Sequence, residues 1–318
     1  MLRLDDDHLK TSTDLPVLVT GTSGFIGGVI ARELQLSGLT VVSLDCTGSP
    51  DLRMDAADPL VLTAIRRGCF RAVVHQAGIS NTLERDEQLL HQHNTAKPLA
   101  IADACSVSDT AFLYASSFSV YGATGKRTVR ESDLSSTTGP LNAYARSKLR
   151  LDEEMSSRYS GGNWMGLRYT NVFGPREPIE GRMSSVISQW LWRSARGKFI
   201  EIFDGTQDSG RDFVEVHRVA GAIARRLQDT GQDPARGIFN FGSGVTVTFG
   251  EIIEWCREFA GTAVDVRTIP FLIGEQYQHW TSVNMDALGR YYPELKVADH
   301  KSLKAYAQEC WRSHRETS

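Results

Sequence analysis

No stretch of this chain reaches the ~18 consecutive apolar residues that a membrane-crossing helix needs, so the sequence offers no helical span. Positive charge is not in excess either. The formal net charge is -3, which leaves no basic footprint for nucleic acid. Cysteine is scarce and scattered: Cys46, Cys69, Cys105, Cys256 and Cys310 are odd in number, and no pair has metal-ligand spacing. Reduced thiols in a cytoplasmic setting are expected, with neither a disulfide framework nor a bound metal. Residues 1–7 are acidic and lack an apolar core, so they are expected to form a short disordered lead-in rather than a secretory leader. No internal repeat or low-complexity tract interrupts the 318 residues, enough chain for one large core or two modest domains.

What the chain does have is alternation. In its first half, short apolar runs alternate with amphipathic stretches, the pattern of a parallel sheet covered by helices. Strands are predicted at 17–20, 40–44, 72–75, 111–115 and 165–169, and helices at 25–37, 58–67, 88–106 and 142–159. Gly174-Pro175-Arg176-Glu177-Pro178 marks a break, and an amphipathic stretch follows at 183–195. The run Asp212-Phe213-Val214-Glu215-Val216 and a helix at 218–228 read as a return to the main sheet. Ile238-Phe239-Asn240-Phe241 reads as a further strand, and helices are expected at 249–260 and 301–309.

Between the first strand and the first helix stands Gly21-Thr22-Ser23-Gly24-Phe25-Ile26-Gly27. That order brings a pyrophosphate to a helix N-terminus, the glycines permitting a tight turn and close backbone approach. The spacing is Gly-x-x-Gly-x-x-Gly rather than Gly-x-Gly-x-x-Gly. Asp45 ends the second strand, about 20 residues beyond the turn, where an acid hydrogen-bonds the adenosine ribose hydroxyls. An acid there repels a 2′-phosphate, and Cys46-Thr47-Gly48-Ser49 supplies no adjacent cation, which favours NAD over NADP. The bland alternative makes Asp45 a strand-end turn former. Asp55 is placed toward the adenine, Gln76-Ala77-Gly78 forms a small-residue segment along the dinucleotide, and Asn94 braces that region. The expected fold is therefore α/β, a Rossmann-type doubly wound parallel sheet with a smaller, interleaved C-terminal lobe. Residues 14–172 plus 212–242 would bind the dinucleotide, and 173–211 plus 243–318 the substrate, with the site in the cleft between them.

Ser117 ends the apolar run that starts at Phe112, while Tyr144 and Lys148 fall four residues apart on one face of a predicted helix. Alcohol oxidation needs a base whose conjugate acid returns the proton. A free phenol, with a pKa of about 10, does this poorly at neutral pH. The Lys148 ammonium and a nicotinamide cation would lower it by stabilising the phenolate. Ser117 would hydrogen-bond the reacting hydroxyl or keto oxygen, and Lys148 would also hold the nicotinamide ribose. The bland alternative is a tyrosine that packs and a lysine that is solvated. His75, His91, His93 and His217 belong to no constellation and are read as bystanders.

Taken together, these stretches resemble the extended branch of the short-chain dehydrogenase/reductase superfamily, which acts on nucleotide sugars. Phe112-Leu113-Tyr114-Ala115-Ser116-Ser117, Pro140-Leu141-Asn142-Ala143-Tyr144, Gly174-Pro175-Arg176-Glu177, Gly205 through Val214 and Gly237-Ile238-Phe239-Asn240 are most similar to the ADP-glycero-manno-heptose 6-epimerase subgroup. The resemblance runs over nearly the whole chain from Val17. It implies an NAD-dependent epimerase that forms a transient keto-sugar from a nucleotide-diphosphate sugar, and a homodimer built on the 88–106 and 142–159 helices. It also implies a cofactor contact at Val172. Sugar-nucleotide contacts are implied at Ser116, Asn171, Arg182, Gln189, Phe203, Asp204, Gly205, Thr206, Arg211 and Tyr277. Where the subgroup carries a lysine as second acid/base, this chain has Glu180. Glu180 either takes that role with a raised pKa or pairs with Arg182 as a structural residue. Phe118-Ser119 replaces the Asp-Glu pair of the usual dehydratases, which argues against dehydration. A nucleotide-sugar 4-epimerase and a keto-sugar reductase remain the rival activities. A non-catalytic NAD-binding regulator would have no need of Ser117, Tyr144 and Lys148.

Overall fold

Val17-Leu18-Val19-Thr20 is buried along its whole length, as a strand covered on both faces must be. The structure is a computed structural model and describes residues 15–177, 183–229, 234–271, 277–295 and 298–316. Its first six strands are β1 (Val17–Thr20), β2 (Val41–Asp45), β3 (Leu52–Arg53), β4 (Ala72–His75), β5 (Ala111–Ser117) and β6 (Trp164–Tyr169). Three strands then lie outside this sheet, β7 (Asn171–Phe173), β8 (Ile200–Phe203) and β9 (Gly210–Glu215), before β10 (Gly237–Phe241) pairs beside β6. Across the seven-stranded sheet the order is β10-β6-β5-β4-β1-β2-β3, and every pairing is parallel. The order reverses at β1, between β2 and β4, so the crevice for a ligand opens at the carboxyl ends of these strands.

Helices cover both faces. On one, α1 (Phe25–Leu36) packs against a late helix at Val216–Gln228, and their apolar stripes close a core over β1, β4, β5 and β6. On the other lie α2 (Pro59–Arg66), α3 (Glu87–His91), α4 (Lys97–Ser108) and α5 (Ala143–Arg158). Local chemistry sets where they begin. Asp58 caps α2 by accepting from Leu60 N, with Pro59 in the first turn, and Asn142 caps α5 by accepting from Ala145 N. A third core is built from α6 (Val186–Ala195), α8 (Phe249–Ala260) and α10 (His300–Glu316); between these in the chain fall α7, the Val216–Gln228 helix, and the short α9 (Asp286–Gly289).

The 212–216 run does not return to the main sheet. β9 pairs parallel to β7 and antiparallel to β11 (Thr246–Thr248), in a separate three-stranded sheet. A short apolar run reads the same in any buried sheet, so periodicity alone does not assign it. Asp212 gives the physical reason. Its buried carboxylate accepts from Ser243 N, Ser243 Oγ and Gly244 N, tying β9 to the loop that follows β10. β8 pairs with β12 (Val266–Ile269) in a further small sheet that no sequence pattern announced.

Candidate active site

The glycine turn leaves bare backbone because there is no room for anything else. A Cβ at Gly21, where φ is +74°, would lie 2.6 Å from Ala77 N, and one at Gly27 would lie 2.2 Å from Gly21 O. Above this turn runs a cleft of about 820 Å³. Gly21, Ser23, Gly24, Phe25, Ile26 and Gly27 line one part of it, with Asp45, Asp55, Gln76, Ala77 and Gly78. Ser116, Ser117, Tyr144, Lys148, Asn171 and Val172 line another. Residues spread over 150 positions of sequence therefore share one surface, as β1, β2, β4, β5 and α5 converge at the switch point.

Asp45 is held in place before any ligand arrives. Its Oδ2 accepts from Ser23 N at 3.0 Å, and its Oδ1 accepts from Thr47 N and Thr47 Oγ1 at 3.0 Å each. A bare groove and a pre-oriented acid fit a dinucleotide. β3 adds a feature that the sequence did not announce: Arg53 stands in register with Asp45, its Nε 3.5 Å from Cys46 O. Asp55 is paired with Lys97, Nζ to Oδ2 at 2.5 Å, and also accepts from Ala57 N. Burial is the largest single influence and works against its ionisation, but the hydrogen bonds from Lys97 and Ala57 N, with the Lys97 and His93 charges, together outweigh it and hold the carboxyl below its ordinary range. Lys97 and His93, one helical turn apart, both line the cleft, and neither was expected there.

Asn94 does brace the wall. Fully buried in a π-helical turn (Gln92–Ala96), it accepts from Ile79 N and donates to Ile79 O and Ser147 Oγ, behind the cleft rather than in it. His75 also belongs to the wall. It is buried, lines the cleft and lies 2.8 Å from Thr20 Oγ1, and burial pushes its pKa down to about 3, so it is neutral.

Farther along the cleft, the first turn of α5 sets Tyr144 beside Ser117, and the next turn brings Lys148 against β5. Burial raises the Tyr144 phenol, and the Ser117 hydrogen bond pulls it back down. Lys148 is anchored by the backbone of β5. Its Nζ donates to Ala115 O at 2.9 Å, and burial lowers it to about 8 while Asp152 opposes the fall. Ser117 Oγ in turn accepts from Ser119 N and Ser119 Oγ, which fixes its rotamer. The Ser116 hydroxyl is taken by Asp152 at 2.9 Å.

The residues expected around a sugar nucleotide divide into two groups. Asn171 lines the cleft and, through Nδ2 to Asp212 O, joins it to β9. Phe203, Asp204, Gly205, Thr206, Arg211 and Tyr277 do not line it and gather elsewhere in the C-terminal lobe. There the Arg211 guanidinium lies 5.0 Å over the Tyr277 ring and 5.3 Å over Phe249, and Phe203 meets Tyr277 edge-on. Asp204 N donates to Ile269 O, Gly205 has φ +71°, and the Thr206 hydroxyl closes the turn onto Phe203 O. Gln189 is likewise outside the cleft lining, its Nε2 donating to Ser184 O. Glu180 and Arg182 lie outside the described residues. Glu177, Met183 and Ser185 also line the cleft, without any signal in the sequence that places them there.

Known proteins agree with this geometry. Residues 17–242 match the family model described as the NAD dependent epimerase/dehydratase family. ADP-L-glycero-D-manno-heptose-6-epimerase of Pseudomonas aeruginosa is 34% identical over 258 residues, 75% of this chain and 76% of that protein. The enzyme of the same name from Brachyspira hyodysenteriae is 26% identical over 319 residues, 92% of this chain and 96% of that one. Among solved structures, Helicobacter pylori ADP-L-glycero-D-manno-heptose-6-epimerase superposes with a TM-score of 0.82 at 24% identity, covering 100% of both chains. Thermus thermophilus UDP-glucose 4-epimerase, in complex with NAD, gives 0.73 at 25% identity, covering 94% of this chain and 99% of that one. With the family model spanning most of its length and a relative one-third identical over three quarters of it, this chain belongs to the NAD dependent epimerase/dehydratase family.

Proposed function

We propose that the chain is an NAD-dependent nucleotide-sugar epimerase that inverts a carbinol carbon by transient oxidation to a keto-sugar and re-reduction, with ADP-linked heptose as the leading substrate. The observation that carries this is the meeting, in one cleft, of the bare glycine turn and Asp45 with Ser117, Tyr144 and Lys148. Bound NAD would be held by the turn, Asp45 and the Gln76–Gly78 segment, and would supply hydride removal and return. Tyr144 takes the hydroxyl proton as the carbon is oxidised and gives it back on reduction. Ser117 orients the reacting oxygen and the phenol together, and Lys148 adds positive charge one turn away. We further propose a cytoplasmic homodimer through α3, α4 and α5, on which Leu89 and Val107 are exposed. No described helix is long and apolar enough to cross a membrane. The division between 14–172 plus 212–242 and 173–211 plus 243–318 is proposed as one of cofactor and substrate binding.

The test is incubation with ADP-linked heptose in deuterated buffer, followed by NMR. Inversion at C6 without solvent deuterium at that carbon is the expected result. No inversion, with NAD still bound, would move the activity to another nucleotide sugar, with C4 epimerisation or keto-sugar reduction next in line. Cofactor choice has its own test. Asp45→Ala removes a charged hydrogen-bond acceptor of the kind that contributes about 1.5–3 kcal/mol, so NAD affinity should fall about 10- to 100-fold. NADP affinity should fall less or rise, since the repelling charge is gone and Arg53 remains in register alongside. An unchanged NAD-to-NADP ratio in titrations would remove Asp45 from the ribose site.

A further inference from the structure

Glu177 lines the cleft, is only 4% exposed and has no part in the chemistry above. It ends the Gly174–Glu177 turn, its own N–H donating to Gly174 O. Its Oε1 accepts from Ser185 N, and its Oε2 accepts from Ser185 Oγ and Ser188 Oγ. Ser185 is the N-cap of α6, so the carboxylate sits where a ten-residue helix presents its unsatisfied N–H groups and positive dipole end. Met183 and Ser185, just before that helix, line the same cleft. One side chain thus joins the turn that follows β7 to the first turn of α6.

Among the described residues, no cation is paired with the Glu177 carboxyl. From α10, Tyr306 and Cys310 face it, and the same two groups also feel Glu309 and, at the end of β9, Glu215, which Arg218 of α7 offsets. Burial therefore raises the Glu177 carboxyl to about 7, with the Ser185 and Ser188 hydrogen bonds opposing the rise. The hydrogen bonds, unlike the burial, favour the ionised form. Oε1 meets an N–H that only donates, so a proton must go on Oε2 and cost one of the two hydroxyl donations there.

We propose that Glu177 is a positioning residue: its carboxylate clamps the start of α6 and, through Met183 and Ser185, sets the cleft wall against which the nucleotide sugar binds. The clamp is closed when the carboxyl is ionised and loosens when it is protonated. Substrate affinity, rather than the chemical step, then carries the pH dependence. This rests on the nucleotide-sugar reading, so the experiment has one arm that needs no substrate.

In the free protein, hydrogen-exchange protection at the α6 first-turn amides is expected to fall in wild type as pH drops through about 7, and to be pH-independent in Glu177→Gln. Identical protection profiles in the two proteins would overturn the clamp. In turnover, Glu177→Gln should raise KM for the nucleotide sugar about tenfold, with kcat within about twofold and NAD affinity unchanged. Glu177→Asp, which keeps the charge, should retain a pH-dependent KM. A fall in kcat at constant KM, or equal loss in both carboxylate and amide variants, would also overturn the proposal. Thermal unfolding separates clamp from scaffold. A carboxyl whose folded pKa is raised makes the fold less stable as pH climbs from about 4.3, its unfolded value, toward the folded one. At pH 8 the amide variant is therefore expected to melt no lower than wild type, and a lower Tm would make the role merely structural. If wild type itself turns over no ADP-linked heptose, the substrate reading fails while the exchange arm still decides the clamp.

Discussion

Tyr144→Phe is expected to cut turnover by about 10²–10⁴-fold, the range general acid–base catalysis supplies, while leaving NAD affinity within a few-fold of wild type. The substitution removes one oxygen from a half-buried ring at the first turn of α5. Little else depends on that oxygen. Ser117 keeps its contacts with Ser119, Lys148 keeps Ala115 O, and the α5 cap at Asn142 is untouched. The fold and the cofactor groove should therefore survive, and only the proton acceptor is lost. Turnover assays alongside NAD titration give the two readouts. A comparable loss of NAD affinity would make Tyr144 a cofactor anchor, and full turnover would hand the proton to another group. Because Ser117 supplies the pull toward phenolate in this structure, Ser117→Ala in the same assays should raise the pH needed for turnover rather than weaken NAD.

Much of this site was legible because its parts are local patterns. A glycine turn between strand and helix, an acid at the next strand end and a Tyr–Lys pair at helical spacing each lie within a few residues of sequence. The strands of the main sheet were legible too, since burial on both faces makes them continuous apolar runs. What escaped notice consists of contacts between distant segments. Asp55 meets Lys97 across 42 residues, and Arg53 joins Asp45 only through a two-residue strand. Glu177 reaches α6 with ordinary serines as partners, and no motif marks a carboxylate that will be buried. The placing of β9 failed for a related reason. Its apolar residues match any buried strand, and the partner that decides its sheet, the loop held by Asp212, follows about 30 residues later. His75 and His93 have no partners at short sequence spacing, yet both line the cleft, because strand ends and helix turns converge there.

Asp152→Ala is the second large effect expected, and its target is the scaffold behind the chemistry. Asp152 follows Lys148 by one helical turn and Tyr144 by two, so it belongs to the same column of α5. It is 1% exposed and holds Arg168 of β6 at 2.8 Å, Tyr114 at 3.0 Å and Ser116 at 2.9 Å. Removing the carboxylate strands a guanidinium that is only 3% exposed, with Tyr121 OH left as its side-chain acceptor. Breaking a buried pair from one side costs about 3–5 kcal/mol, whereas replacing both partners with apolar residues is often neutral or better. Asp152→Ala should therefore lower the denaturation midpoint sharply, and Asp152→Leu with Arg168→Met should recover much of it. A loss below about 1 kcal/mol in the single variant would mean that Arg168 finds water or another acceptor. Activity should not follow stability. Asp152 is the group that opposes the fall in the Lys148 pKa, so without it the ammonium deprotonates at lower pH in both variants. A stable double variant whose turnover declines at lower pH than wild type would show that the buried pair serves the active site as well as the core. A double variant with wild-type pH dependence would confine Asp152 to the scaffold.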